Sequence, residues 1–169
     1  MKKNTKNLVF AALLAAVTCV ATLVIHIPSP LNGYRNLGDC FVLLSGWLLG
    51  PVYGFLAAGI GSALADLFLG YAVYAPATFI IKGLVALVAY LLIKAFGKIN
   101  NKAVAYALSG IIAELVMIGG YYVFEGFMYG FVESAVNILP NGVQAVAGIV
   151  SATLLIAVIN KTGVLKKFK

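Results

Sequence analysis

Charge is what this chain has least of. Only 10% of its 169 residues are Asp, Glu, Lys or Arg, against about 25% in an ordinary soluble domain. Hydrophobic residues make up 63% and the mean hydropathy is +1.04. That balance excludes a soluble globular protein and describes an integral membrane protein with one transmembrane domain over residues 1–169. Histidine occurs once, at His26, and cysteine twice, at Cys19 and Cys40. Neither supplies a zinc-ligand spacing. The cysteines fall in apolar segments and read as small buried hydrophobes. A Ser–His hydrolase would have to recruit His26, which has no oriented partner. Gly38-Asp39 lacks the first glycine of a GxGD aspartyl site. No GxxxxGK[ST] occurs; the nearest stretch, Gly97-Lys98-Ile99, has neither the loop nor the hydroxyl, so the chain carries no P-loop for ATP. No metal, cofactor or catalytic set is expected.

The charges that are present are placed with order. Net charge is +7. Of the cations, Lys2, Lys3 and Lys6 lie at the N-terminus, Lys94, Lys98 and Lys102 in one central region, and Lys161, Lys166, Lys167 and Lys169 at the C-terminus. All the acids (Asp39, Asp66, Glu114, Glu125, Glu133) lie elsewhere. This is the positive-inside pattern and explains the basicity better than a nucleic-acid partner does. Apolar segments are expected at about 8–27, 37–50, 52–69, 76–96, 103–124 and 137–159. Together they make an all-α bundle of six spans with both termini cytoplasmic. The first imitates a signal peptide, but its apolar run continues to Ile27 and suits a retained span. Pro28, Pro30 and Gly33 exclude regular helix from the loop after it. The second segment is short for a crossing and is expected to tilt, begin in the loop or sit in a thinned region.

Small and polar residues inside the spans carry the functional signal. Gly54, Ala58, Gly61 and Ala65 recur every three to four residues, a face for close helix packing. Asp66 lies beside it and points inward. Lys82 falls one to two turns inside the next span. Both are costly in hydrocarbon, roughly 2.5–3.5 kcal/mol each at a helix centre, so a structural Asp66–Lys82 ion pair is expected, with Lys82–Glu114 the competing pairing. Glu114 sits mid-span and must be neutral, paired or wet. Asn137, Asn141, Gln144, Gly148 and Ser151 are spaced 4, 3, 4 and 3 and form one stripe, a cavity wall or interhelical glue. Tyr71, Tyr74, Tyr121 and Tyr122 gather at the outer ends, suited to stacking on a flat ligand. An outward-facing pocket follows, with Glu114, Asn141 and Gln144 giving hydrogen bonds and Tyr34, Arg35 and Asn36 on a lid loop. Ala11, Ala12, Ala15 and Ala16 make two small-xxx-small pairs, for internal packing or for docking a separate membrane subunit. The alternative is a stand-alone ion- or proton-coupled transporter using Glu114.

Several of these residues carry a resemblance. Asn36-Leu37-Gly38-Asp39, Gly50-Pro51, Gly61 to Asp66, Gly70-Tyr71, Tyr74-Ala75-Pro76 and Ile80 to Gly83 resemble the substrate-binding S components of energy-coupling factor (ECF) vitamin transporters. The similarity is to the group with riboflavin-type and hydroxymethylpyrimidine- or pyridoxine-type members. It extends over the whole chain and is most specific between residues 36 and 83. It implies a six-helix, multi-pass protein of a prokaryotic plasma membrane that captures a small water-soluble vitamin or precursor outside the cell. It also implies docking through the Ala11/Ala15 and Ala12/Ala16 face onto a transmembrane coupling subunit driven by two cytosolic ATPases. Glu114 to Ser151 match no single vitamin pattern, which leaves the cargo open, with pyridoxine- or pyrimidine-like compounds the first expectation.

Overall fold

The computed structural model describes residues 3–29, 31 and 33–162. Lys2, Pro30, Lys166, Lys167 and Lys169 lie outside the described residues. Helix α1 (Lys3–Val24) leads into a short antiparallel hairpin of β1 (His26–Pro28) and β2 (Tyr34–Asn36). Its register places Ile27 opposite Arg35 and Pro28 opposite Tyr34. Then follow α2 (Asp39–Leu49), α3 (Pro51–Phe68), α4 (Ala75–Ala95), α5 (Lys102–Tyr129), the single turn α6 (Phe131–Ser134) and α7 (Ile138–Thr162). Among the described residues five helical stretches are long and apolar enough to cross a membrane: Asn4–Val24, Pro51–Phe68, Ala75–Lys98, Lys102–Tyr129 and Phe131–Thr162.

Helix α2 is the exception. Its 11 residues rise about 16 Å at 1.5 Å per residue, roughly half of a hydrocarbon core near 30 Å. It is also the most buried helix. Val42, Leu43 and Ser45 have no exposed surface, and α1, α3, α4 and α7 all pack on it. The approach is close because the contact positions lack side chains. A Cβ on Gly46 would lie 2.1 Å from the Ala86 carbonyl oxygen, and one on Gly148 2.8 Å from the Asp39 Cβ. Gly46→Ala is therefore expected to push α2 off α4 and cost about 1–3 kcal/mol, the usual range for overpacking, read as a lower melting temperature.

The small-residue face of α3 is buried: Ala58 and Ala65 have no exposure, and Gly54 and Gly61 are enclosed. Its neighbours are α1, α2 and α4. This divides the two alanine pairs of α1. A Cβ on Gly61 would stand 2.4 Å from the Ala15 carbonyl oxygen, and Ala11 is buried, so the Ala11/Ala15 pair belongs to the α1–α3 contact within the chain. Ala12 and Ala16 face outward.

Two of the differences from the expected element boundaries bear on the site. The first span ends at Val24 because the next residues enter the hairpin, a paired structure in the region expected to be an irregular loop. Helix α5 continues past Phe124 to Tyr129 and stops only at Gly130, whose φ of 103° is a glycine conformation. The extra turn and a half carries Glu125 inward, where it is buried.

Candidate ligand-binding site

One cavity lies beneath the hairpin, at the end of the bundle where α3 passes to α4. All the long helices contribute to its wall, together with the hairpin and the turn before α4. The hairpin gives Tyr34 and Asn36, α3 gives Ser62 and Asp66, and the turn gives Tyr71 and Tyr74. Thr78 and Lys82 come from α4, Tyr121 and Glu125 from α5, and Asn137, Asn141 and Gln144 from the start of the last span. Thr22 of α1 completes it. The free space is about 30 Å³, enough for a water or two.

The floor is an ion pair that the sequence reading placed differently. Lys82 Nζ donates to Asp39 Oδ1, not to Asp66. The side chains are 2% and 0% exposed. Asp39 opens α2 deep in the bundle, so its carboxylate has no solvent and requires a cation there. Gln144 Nε2 donates to its second oxygen at 2.6 Å, and Gln144 Oε1 accepts from the Asn36 backbone N–H at 2.8 Å. A single amide thus joins the buried pair to the hairpin. Asn36 Oδ1 in turn accepts from the Gly38 N–H at 2.9 Å. The Lys82 ammonium also lies 5.5 Å from the centre of the Tyr121 ring.

The roof is aromatic. Tyr34 donates its hydroxyl to Asp66 Oδ1. Burial, with the Asp66 charge beside it, pushes the Tyr34 phenol above its ordinary range, so it stays protonated as a donor. Its ring lies 5.0 Å from that of Tyr71, which meets Tyr74 edge-on at 6.3 Å, and Tyr74 meets Phe124 at 5.3 Å. On the far wall Asn137 Nδ2 donates to both Glu125 oxygens at 3.0 Å. Thr78 and Tyr121 share a hydrogen bond of 3.0 Å.

Among the expected ligand residues, the cavity gathers Tyr34, Asn36, Tyr71, Tyr74, Tyr121, Asn141 and Gln144 and leaves out Arg35, Tyr122 and Glu114. Each exception has a geometric reason. Successive side chains of a strand point to opposite faces, so Tyr34 and Asn36 face the cavity and Arg35 between them does not. Tyr122 is turned about 100° round α5 from Tyr121 and packs on Phe131, with ring centres 5.7 Å apart. Glu114 shares the Tyr121 face but lies two turns away, about 10 Å along the axis. It is 1% exposed and neither carboxyl oxygen has a hydrogen-bond partner among the described residues, so it is not the partner of Lys82.

Ser62, Thr78 and Glu125 line the cavity without having been expected there, Asn137 was expected only as part of the polar stripe, and Asp39 joins from beneath through Lys82 and Gln144. Helical spacing marks most of them, since Ser62 precedes Asp66 by four, Thr78 precedes Lys82 by four and Glu125 follows Tyr121 by four. Asp39 carries no such mark, because it stands at the end of a loop in the sequence.

A multi-pass membrane protein with a polar, tyrosine-roofed cavity at one end of an apolar bundle is built to hold a small solute. The comparisons give that class a family. Residues 2–161 match the family model described as ECF-type riboflavin transporter, S component, and the chain belongs to that family, whose members are transport subunits and not enzymes. A thiamine precursor transporter, HmpT, of Lactococcus lactis subsp. cremoris (strain MG1363) is 30% identical over 99% of this chain and 95% of its own length. An uncharacterized protein from Pyrococcus woesei is 35% identical over 80% of this chain and 88% of its own. The fold is shared with the solved S component of a bacterial ECF transporter, with TM-score 0.68 and 24% identity over 97% of this chain and 99% of that one. It is shared also with a biotin S component from an ECF-type ABC transporter, with TM-score 0.61 and 21% identity over 94% and 92%.

Proposed function

We propose that this chain is the substrate-binding subunit of an ECF-type importer that captures a small, flat, water-soluble vitamin or precursor. A pyridoxine- or pyrimidine-like compound is the first expectation. The observation that carries the reading is the cavity itself, with polar groups converging from α3, α4, α5 and α7 under a roof of tyrosines. Tyr34, Tyr71, Tyr74 and Tyr121 supply ring contacts, and Asn36, Asn141 and Gln144 supply hydrogen bonds. Ligand pockets occupy on the order of 300–1,000 Å³, far more than the space now free, so the hairpin must lift and the tyrosines must part for entry.

In this reading the chain forms one domain over residues 1–169 with six spans, α2 the shortest, and both termini on the lysine-rich cytoplasmic side. The cavity opens outward. The outward-facing Ala12 and Ala16 dock on a separate coupling subunit, and two cytosolic ATPases supply the energy.

Melting temperature is the direct test. Purified protein titrated with a vitamin panel should be stabilised by a true ligand by about 2.7 kcal/mol at a hundredfold excess over Kd. Failure of every vitamin and precursor to raise the melting temperature would sink the proposal. Uptake into liposomes by the chain alone, abolished in Glu114→Gln, would replace it with self-sufficient proton-coupled transport.

A further inference from the structure

The balance of hydrogen bonding inside the cavity is unequal. Asp66 is 3% exposed, and its Oδ1 is occupied by Tyr34 while Oδ2 makes no hydrogen bond within the geometric range among the described residues. Thr78 is a hydrogen-bonding neighbour of Asp66 as well, and its hydroxyl shares with that of Tyr121 a bond in which either can donate. Asn137 is 2% exposed, and its Oδ1 also has no partner. The orientation of that amide is fixed by what surrounds its nitrogen. Nδ2 faces both Glu125 oxygens and the Leu31 carbonyl at 3.4 Å, all acceptors, so the oxygen must be the atom left over. The two unpartnered buried atoms on the cavity wall are therefore both acceptors.

Charge points the same way. Asp66 and Glu125 line the cavity, and the cation lining it, Lys82, is already paired with Asp39. Arg35 faces away from it. Acid thus exceeds base around the bound solute. A carboxylate or phosphate placed there would meet like charge and no free cation. An amine or a protonated ring nitrogen would satisfy atoms that otherwise stay buried and unpaired, and those atoms penalise any ligand that cannot donate to them.

We infer that Asp66 and Asn137 are specificity-determining residues, selecting an amine-bearing heteroaromatic ligand and rejecting anionic vitamins and phosphate esters. This rests on the proposed function and narrows its substrate class. Asp66, expected from the sequence to be half of a structural ion pair, becomes a ligand contact held in aim by Tyr34.

Matched compounds test this on the full chain, purified and titrated calorimetrically. The probes are 4-amino-5-hydroxymethyl-2-methylpyrimidine, its 4-oxo analogue and its phosphate ester, with pyridoxamine, 4-pyridoxate, nicotinate and biotin. The amino compounds should bind, the 4-oxo analogue roughly tenfold to a hundredfold more weakly, as the loss of a hydrogen bond to a charged group implies, and the anions not at all. Asp66→Asn, checked for folding by its melting transition, should erase most of the amino-over-oxo preference. Equal binding of the amino and oxo compounds, or an unchanged preference in folded Asp66→Asn, overturns the inference. So does tight binding of an anion with the amines silent, although the proposed function then stands. Silence from the whole panel overturns both.

Discussion

Lys82→Met is expected to destabilise the protein by about 3–5 kcal/mol, the usual consequence of leaving one member of a buried ion pair alone. For a chain of this size that is roughly a 10 °C fall in melting temperature. The reason is Asp39. Its carboxylate has no exposed surface and, among the described residues, receives hydrogen bonds only from Lys82 and Gln144. With the ammonium gone, one amide remains against a full buried charge. The double variant Lys82→Met/Asp39→Leu should recover most of the loss, because a well-packed apolar pair often matches a buried ionic one. Thermal unfolding of the wild type, both single variants and the double variant gives the coupling directly. If the Asp39 and Lys82 substitutions were simply additive, the pair would not be an energetic unit. Asp66→Asn should lower the melting temperature far less, since Asp66 forms no ion pair among the described residues.

The second large effect is expected from Gln144→Leu, a change of shape so small that packing is nearly kept. It leaves Asp39 Oδ2 and the Asn36 N–H without their partner. An unsatisfied buried group costs about 1–3 kcal/mol, and more when charged, so a total near 2–4 kcal/mol is expected. The effect has a direction in space as well. Gln144 is the only side chain bonded both to the ion pair and to the hairpin backbone among the described residues. Its loss should free β2 before it loosens the helices. Hydrogen exchange would report this as faster exchange at Asn36 with protection in α3 and α4 little changed. Uniform loss of protection would show that the amide supports the whole bundle and not the hairpin in particular.

The sequence shows its helices more readily than its site. Long apolar runs set α1, α3, α4, α5 and α7, and the spacing of Gly54, Ala58, Gly61 and Ala65 marks the face that α3 buries. Tyr71 and Tyr74 announce themselves by crowding next to a helix start. The ion pair was misread because sequence distance favours Asp66, sixteen residues before Lys82, over Asp39, forty-three before it. Nothing local reveals that α2 starts deep inside the bundle. Glu114 was overvalued for the opposite reason. Its cost in hydrocarbon is plain from sequence, but its depth relative to the cavity floor depends on how the helices are staggered. Arg35 was misplaced because the loop was not recognised as a hairpin, and without a strand there is no alternation to separate it from Tyr34 and Asn36.

The Gln144 bridge also bears on how the protein is made. It reaches Asn36 across 108 residues and Asp39 across 105. Synthesis proceeds from the N-terminus at about 5–20 residues per second, so Asp39 waits roughly 5–20 s before its second partner emerges. Lys82 follows Asp39 by 43 residues, so for the later part of that interval the carboxylate depends on Lys82 without Gln144. The cavity is therefore completed late, and a nascent chain that has not released α7 lacks Asn141 and Gln144, the amides that close its wall.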